Sequence, residues 1–225
     1  MTHPRFVIFA NGRLTHPEEA GKLLREDDRV ICADGGTHHA LALGLMPAAV
    51  IGDMDSLTEP DQQRLVAAAV PLNRYPRDKD ETDLELAVEE ALRQGAASIL
   101  IVAALGRRLD QTLGNISLMS DARLSGIDCR MDDGLEEAFF CRSSSTIHGA
   151  AGDIVSLIPW GTAVRGVRTQ GLRWALLGDS LQPHRSRGIS NEMLAPSAGV
   201  AIESGLLLIV HRRSRLSQTT KRIEG

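Results

Sequence analysis

Short apolar runs rich in β-branched residues alternate with helical patterns through the first half of the chain. Arg5 to Ala10, Arg29 to Ala33, Ala48 to Gly52, Val70 to Tyr75 and Ser98 to Ala104 read as strands, with helices between them. The clearest helix runs from Leu84 to Gln94, where Leu84, Ala87, Val88, Ala91 and Leu92 form a stripe with the helical period. Thr82 and Glu85 make a capping box at its start and Gly95 ends it. Strands alternating with helices predict a mainly parallel sheet covered by helices on both faces.

After about residue 131 the helical period disappears. Short strand-like runs take over, among them Asp153 to Ile158, Val164 to Thr169 and Leu206 to His211, with glycines between them. This pattern predicts an antiparallel β-sandwich. The expected organisation is an α/β N-terminal domain over residues 1–131 and an all-β sandwich domain over residues 132–225.

Composition narrows the class. The 225 residues are 43% hydrophobic and 24% charged, ordinary for a protein that buries a core. No apolar stretch approaches the ~18 residues that span a bilayer, and Phe6 to Ala10 is shorter than a signal-peptide core, so a cytoplasmic protein with no membrane partner is expected. Three scattered cysteines, Cys32, Cys129 and Cys141, fit reduced thiols better than a disulfide framework or a zinc site. Residues 1–131 carry a net charge of −6 and residues 132–225 a net charge of +2. The total of −4 argues against nucleic acid as a partner, and the basic stretch from Arg212 to Arg222 reads as a solvated tail.

The acidic residues are not scattered. Asp34 follows the second strand in Ala33-Asp34-Gly35-Gly36, and the third strand runs into Gly52-Asp53-Met54-Asp55-Ser56. Asp80 and Asp83 lie where the next loop enters the capped helix, and Asp110 holds the same place after the fifth strand. Successive strand-to-helix loops thus deliver aspartates to one edge of the sheet, the edge where open parallel sheets bind ligands. Helix capping accounts for Asp110 alone, but not for Asp53 beside Asp55 or for the repetition. Two carboxylates 4 Å apart repel by about 4 kcal/mol at an effective dielectric of 20, so such a cluster calls for a cation. Aspartates that hold a hard divalent ion against substrate phosphates are the usual setting for Mg²⁺. Gly35 and Gly36 allow close backbone approach to a ligand, or simply a turn. Lys79, Arg77, Arg107 and Arg108 share these loops and are either phosphate contacts or solvated charges.

Taken in order along the chain, these segments resemble the thiamine pyrophosphokinase family. The resemblance is carried by Ala33-Asp34-Gly35-Gly36, Gly44-Leu45-Met46-Pro47, Gly52-Asp53-Met54-Asp55-Ser56, Asp80-Glu81-Thr82-Asp83 and Gly106-Arg107-Arg108-Leu109-Asp110-Gln111. It continues with Thr169-Gln170-Gly171-Leu172-Arg173-Trp174 and Ile189-Ser190-Asn191-Glu192. It implies an α/β domain followed by a β-sandwich, a homodimer with substrate bound between domains and across the dimer interface, and transfer of a pyrophosphoryl group from ATP to thiamine. By the same resemblance Asp53, Asp55 and Asp83 hold Mg²⁺ and the ATP phosphates, and Asp34, Asp80 and Asp110 complete the acidic site. Gly35, Gly36, Ser56, Thr82 and Arg107 contact the nucleotide, and Gln111, Trp174, Ser190 and Asn191 surround thiamine. Two positions depart from the family pattern. Arg107 stands where a second glycine is usual, and Gln111 stands where many bacterial members have histidine.

The primary hydroxyl of thiamine is a poor nucleophile and a triphosphate is crowded with charge, so catalysis rests on alignment and charge neutralisation. Asp110 or Asp80 is the expected acceptor of the hydroxyl proton. Trp174 is either a core residue or a stacking face for the substrate pyrimidine, and its motif favours stacking. Trp160 is assigned to packing.

Rival readings remain. Asp53-Met54-Asp55 is also the DxD signature of a nucleotide-sugar glycosyltransferase, and a haloacid-dehalogenase-type phosphatase is weaker because Thr or Val is expected where Leu57 stands. A non-catalytic thiamine or nucleotide sensor would keep the pocket and lose turnover.

Overall fold

The computed structural model describes residues 4–106 and 108–214. It divides into two compact units, residues 1–140 and 141–225.

The first unit is built on strands β1 (Arg5–Phe9), β2 (Arg29–Ala33), β3 (Ala49–Gly52), β4 (Leu72–Arg74), β5 (Ser98–Val102), β6 (Asp128–Asp132) and β7 (Glu136–Cys141). Their spatial order is β7-β6-β5-β1-β2-β3-β4. Every pairing is parallel except that of β6 with β7. Helices α1 (Pro17–Gly21), α2 (Gly36–Ala42), α3 (Glu59–Ala67), α4 (Asp83–Arg93) and α5 (Leu109–Met119) supply the crossovers. From β1 the chain moves outward through β2, β3 and β4, then returns to place β5 on the other side of β1. The order therefore reverses between β1 and β5, which opens a crevice above the strand C-termini.

In the first half the runs read as strands are buried, except the fourth at the sheet edge. Val7, Ile8 and Phe9, with Ile31, Cys32, Val50, Ile101 and Val102, are fully shielded from solvent. Such two-sided burial is what continuous apolar runs in a parallel sheet require. Helix α4 buries Leu84, Leu86, Ala87, Val88 and Ala91, at about 1.5–3 kcal/mol for each large side chain. Its Thr82 cap forms, with the hydroxyl oxygen accepting from the Glu85 N–H at 3.1 Å.

Two predicted strands prove shorter by more than one residue. The fourth loses its first residues because the Val70 N–H donates to Leu65 O at 2.9 Å, closing the end of α3, and Pro71 has no N–H to give to a ladder. The fifth stops at Val102, where Ala103 turns to φ 57°.

The second unit contains β8 (Ser144–His148), β9 (Ile154–Pro159), β10 (Val164–Gln170), β11 (Leu177–Leu181), β12 (Asn191–Glu192), β13 (Ser197–Ala201) and β14 (Leu207–Arg212). They form an antiparallel sandwich, with β12-β9-β14 in one layer and β11-β10-β13-β8 in the other. Ile147, Val155, Leu157, Val164, Val167, Leu181, Met193, Leu207 and Ile209 fill its interior. Trp160 is half-buried.

Candidate active site

The crevice above β1, β2, β3 and β5 is a cleft of about 470 Å³. Its walls come from strand ends and helix starts: Asn11 after β1, Asp34 after β2, Asp53 and Asp55 after β3, Thr82 and Asp83 at the start of α4, and Asn115 on α5.

Asp34 is 4% exposed and adopts φ 43°, a left-handed conformation rare for a residue with a side chain. The turn is held from both sides. Its N–H donates to Ile51 O at 2.8 Å, and its carbonyl accepts from the Thr37 hydroxyl at 2.8 Å and the Thr37 N–H at 3.1 Å. Backbone strain over-determined in this way is characteristic of functional sites. Next to it, Gly52 at φ 149° leaves no room for a side chain. A Cβ there would lie 2.9 Å from Asp34 Cβ and 3.0 Å from Asp83 Cγ. The bare backbone of Gly52 is what lets the aspartates from β2 and α4 close on each other.

Asp34, Asp53 and Asp83 each offer a carboxylate oxygen within 4.8 Å of the others. Asp34 Oδ1 is buried with no hydrogen-bond donor, and Asp83 Oδ1 is buried with only a lysine ammonium beside it. Lys79 Nζ stands 2.9 Å from Asp83 Oδ1 as an ion pair and is its one neighbour of opposite charge. Burial pushes the Asp83 carboxyl above the ordinary carboxylate range; Lys79 pulls it back, and the charges of Asp34 and Asp53 push it up further. Buried carboxylate oxygens normally have donors, so orphaned ones clustered in an open cleft mark a place for a cation. An all-oxygen donor set of this charge suits a hard divalent ion such as Mg²⁺.

The remaining expected residues fall in different places. Asp55 and Ser56 line the cleft beside the trio; the Asp55 N–H donates to Asp53 Oδ1 at 3.1 Å and its own Oδ1 accepts from Ser56 Oγ at 3.2 Å. Thr82 and Gln111 also line it. Asp80 and Asp110 are exposed and are not among the cleft-lining residues. Asp110 is tied to Arg108, whose guanidinium and the Gln111 N–H hold its carboxyl below the ordinary range. Gly35 and Gly36 face inward, against protein. A Cβ on Gly36 would meet Phe9 O at 2.0 Å and one on Gly35 would meet the Asn11 amide at 2.5 Å, so the pair seats α2 on the end of β1. Arg107 lies outside the described residues.

Trp174, Ser190 and Asn191 belong to the second unit. Trp174 is 58% exposed, so it is not a core residue. Asn191 is buried and clamps the Trp174 backbone from both directions, with Oδ1 accepting from the Trp174 N–H at 3.0 Å and Nδ2 donating to Trp174 O at 2.7 Å. Its amide thereby fixes where the indole stands. The Ser190 N–H donates to Ser156 Oγ at 3.1 Å, and Ser190 turns at φ 59°.

Sequence reasoning passed over Asn11, Asn115 and the full part of Lys79. The signal for Asn11 was available, since Ala10-Asn11-Gly12 ends a strand in the way that the aspartate-bearing segments do. Asn115 donates to Ala104 O at 2.8 Å, and nothing in its neighbours announces this.

Two family models match in series. Residues 20–131 match the thiamin pyrophosphokinase catalytic domain, and residues 144–207 match the thiamin pyrophosphokinase vitamin B1 binding domain. The chain belongs to the thiamine pyrophosphokinase family. It is 29% identical over 182 residues to thiamine pyrophosphokinase of Bacillus subtilis, covering 80% of this chain and 85% of that one. The crystal structure of thiamine pyrophosphokinase from Bacillus subtilis superposes with a TM-score of 0.85 at 25% identity, covering 93% of this chain and 99% of the other. Yeast thiamin pyrophosphokinase shares the fold, with a TM-score of 0.74 at 16% identity over 94% and 87% of the two chains. As a thiamine pyrophosphokinase the chain is an enzyme, and the glycosyltransferase and sensor readings are not favoured. Among the described residues no helix is long and apolar enough to cross a membrane.

Proposed function

We propose that the cleft of the first unit binds ATP together with a divalent cation, and that the thiamine hydroxyl attacks the β-phosphorus. A bond forms between that oxygen and β-phosphorus, the bond from β-phosphorus to the bridging oxygen breaks, and AMP leaves with the bridging oxygen. The observation that carries this reading is the buried, donorless Oδ1 of Asp34 clustered with Asp53 and with Asp83, whose buried Oδ1 meets only the Lys79 ammonium. Asp34, Asp53 and Asp83 would hold Mg²⁺, with Asp55 alongside; bound there, the ion neutralises charge on the phosphates and on the transferring group.

The chain's own residues do the rest. The rigid turn at Asp34 and the capped start of α4 fix two of the carboxylates before substrate arrives, which is the preorganisation that electrostatic catalysis needs. Ser56, Thr82 and Gln111 line the cleft as neutral donors and acceptors. The two expected proton acceptors, Asp80 and Asp110, lie outside the cleft wall, and Asp110 is paired with Arg108. Trp174 offers an exposed indole to the flat thiamine pyrimidine, with Asn191 holding its backbone and Ser190, the residue before Asn191, available for polar contact.

The reading includes a homodimer and a cytoplasmic location. Leu109 and Leu113, exposed on α5, supply apolar surface of the kind a second copy would cover, and Cys32, Cys129 and Cys141 are all free thiols, as in a reducing compartment. The test incubates the protein with ATP, Mg²⁺ and thiamine and follows AMP and thiamine pyrophosphate. Both should appear together and only when thiamine is present. Release of ADP, or nucleotide breakdown indifferent to thiamine, would overturn the reading.

A further inference from the structure

Lys79 occupies a place that the reaction alone does not explain. Its side chain is 12% exposed, and its ammonium stands 2.9 Å from Asp83 Oδ1. Nζ also donates to Pro76 O at 3.2 Å. The residue belongs to the loop of residues 75–82, which has no regular structure, whereas Asp83 is fixed in the first turn of α4 and Asp34 in its braced turn. The ammonium pairs with Asp83, one of three clustered carboxylates, and carries one charge, so the cluster keeps a net negative charge with Lys79 in position. Its one ion-pair partner among them is Asp83, and Asp34 Oδ1 receives no donor from it. A flexible point charge of this kind neutralises in part and is easily moved.

We propose that Lys79 is a resident counter-ion for Asp34, Asp53 and Asp83, which yields its place to a divalent cation arriving with the nucleotide and then turns to a phosphate oxygen. This rests on the reading that the carboxylates take such a cation. The ammonium and a free cation compete for the same oxygens, so the site resists filling by metal alone. When cation and triphosphate enter together, the displaced ammonium gains a phosphate partner, for which lysine serves as a mobile point charge. Lys79 thereby couples cation entry to nucleotide entry and is a positioning residue of the cleft.

The experiment titrates Mn²⁺ alone, followed calorimetrically and by the spin resonance of the free ion, into wild type, Lys79→Gln, Lys79→Met and Lys79→Arg. It is then repeated in the presence of a non-hydrolysable ATP analogue. Both neutral variants should bind free Mn²⁺ at least about tenfold tighter than wild type and bind the analogue several-fold more weakly, while Lys79→Arg stays close to wild type. The two neutral variants differ in side-chain polarity, so a folding defect in one, visible as a lowered melting temperature, leaves the other to give the answer. If wild type takes up Mn²⁺ with the analogue but neither neutral variant binds free Mn²⁺ more tightly, Lys79 is no counter-ion and the cation reading stands. If wild type takes up no Mn²⁺ with or without the analogue, the cation reading falls and this inference falls with it.

Discussion

Asp153 in the second unit and Asp34 in the first are both buried, and they are treated in opposite ways. In the second unit Asp153 is 2% exposed and saturated. Oδ1 accepts from the Ser214 N–H at 2.7 Å and the Ser214 hydroxyl at 2.8 Å, while Oδ2 accepts from the Ala150 N–H at 2.9 Å and lies 2.9 Å from His211 Nε2. In the first unit Asp34 is about as buried, yet its Oδ1 has no donor, and the buried Oδ1 of Asp83 meets only the Lys79 ammonium. A carboxylate that serves the fold is surrounded by donors, because an unsatisfied buried acceptor costs about 1–3 kcal/mol. One that serves a ligand is left open, and the fold bears the cost until the ligand arrives. Degree of satisfaction, more than burial, separates structure from chemistry here.

The largest effect that would break this contrast is at Asp53. Asp53→Asn should lower thiamine pyrophosphate formation by at least about a hundredfold at saturating Mg²⁺, while leaving melting temperature in EDTA unchanged or raised, since a like charge has been removed. Near-normal turnover would show that the open carboxylates do no chemistry.

The converse variant is Asp153→Asn, expected to lose about 1–3 kcal/mol of stability at neutral pH with turnover of the folded fraction intact. The pH dependence fixes its sign. Burial alone pushes the Asp153 carboxyl up, but the N–H groups of Ser214 and Ala150, the His211 ring and the Ser214 hydroxyl outweigh this and hold it below the ordinary range. A lowered pKa gives stability that is present above about pH 3.9, the unfolded value, and lost as pH falls through the folded one. Denaturant melts of wild type and variant should therefore differ at pH 7 and converge in acid; a gap that persists below the folded pKa would assign the loss to packing.

Trp174→Ala sharpens the comparison from the second unit. Stacking on a flat heterocycle is worth roughly 1 to 3 kcal/mol, or about five- to a hundredfold in affinity, whereas emptying a Trp-sized core site costs about 3 to 5 kcal/mol of stability. With the indole 58% exposed, the expected outcome is a normal melting temperature, weakened thiamine binding and unchanged ATP binding, with Trp174→Phe intermediate. A collapse in melting temperature with normal thiamine affinity would contradict it. Asn191, whose amide is spent on the Trp174 backbone, should reproduce the affinity loss when changed to Ala.

The smallest effect is expected at Thr82, whose hydroxyl caps α4 beside Asp83. Thr82→Ala should cost about 1 kcal/mol of stability. Thr82→Ser, which keeps the oxygen, should recover it, and equal losses in both variants would mean that the methyl group matters more than the cap.

Several features were legible in residues alone because their causes are local. Apolar runs rich in β-branched residues located β1 to β5, the 3.6-residue period located α4, and the loss of helical period after about residue 131 announced the β-rich half. The ends of β2, β3 and α4 each carried an aspartate, so the edge holding the site followed from topology. What the pattern could not supply was distance and direction. Only the folded chain decided that Asp34 joins Asp53 and Asp83 while Asp55 stands beside them, because that depends on the turn at φ 43° and on the missing side chain of Gly52. Only the fold showed that Gly35 and Gly36 seat a helix on β1, that Lys79 lies against Asp83, and that Asn191 spends its amide on Trp174. Sequence spacing sets which strand end a residue occupies; which oxygen receives a donor, and which is left without one, is set by contacts between segments far apart in the chain.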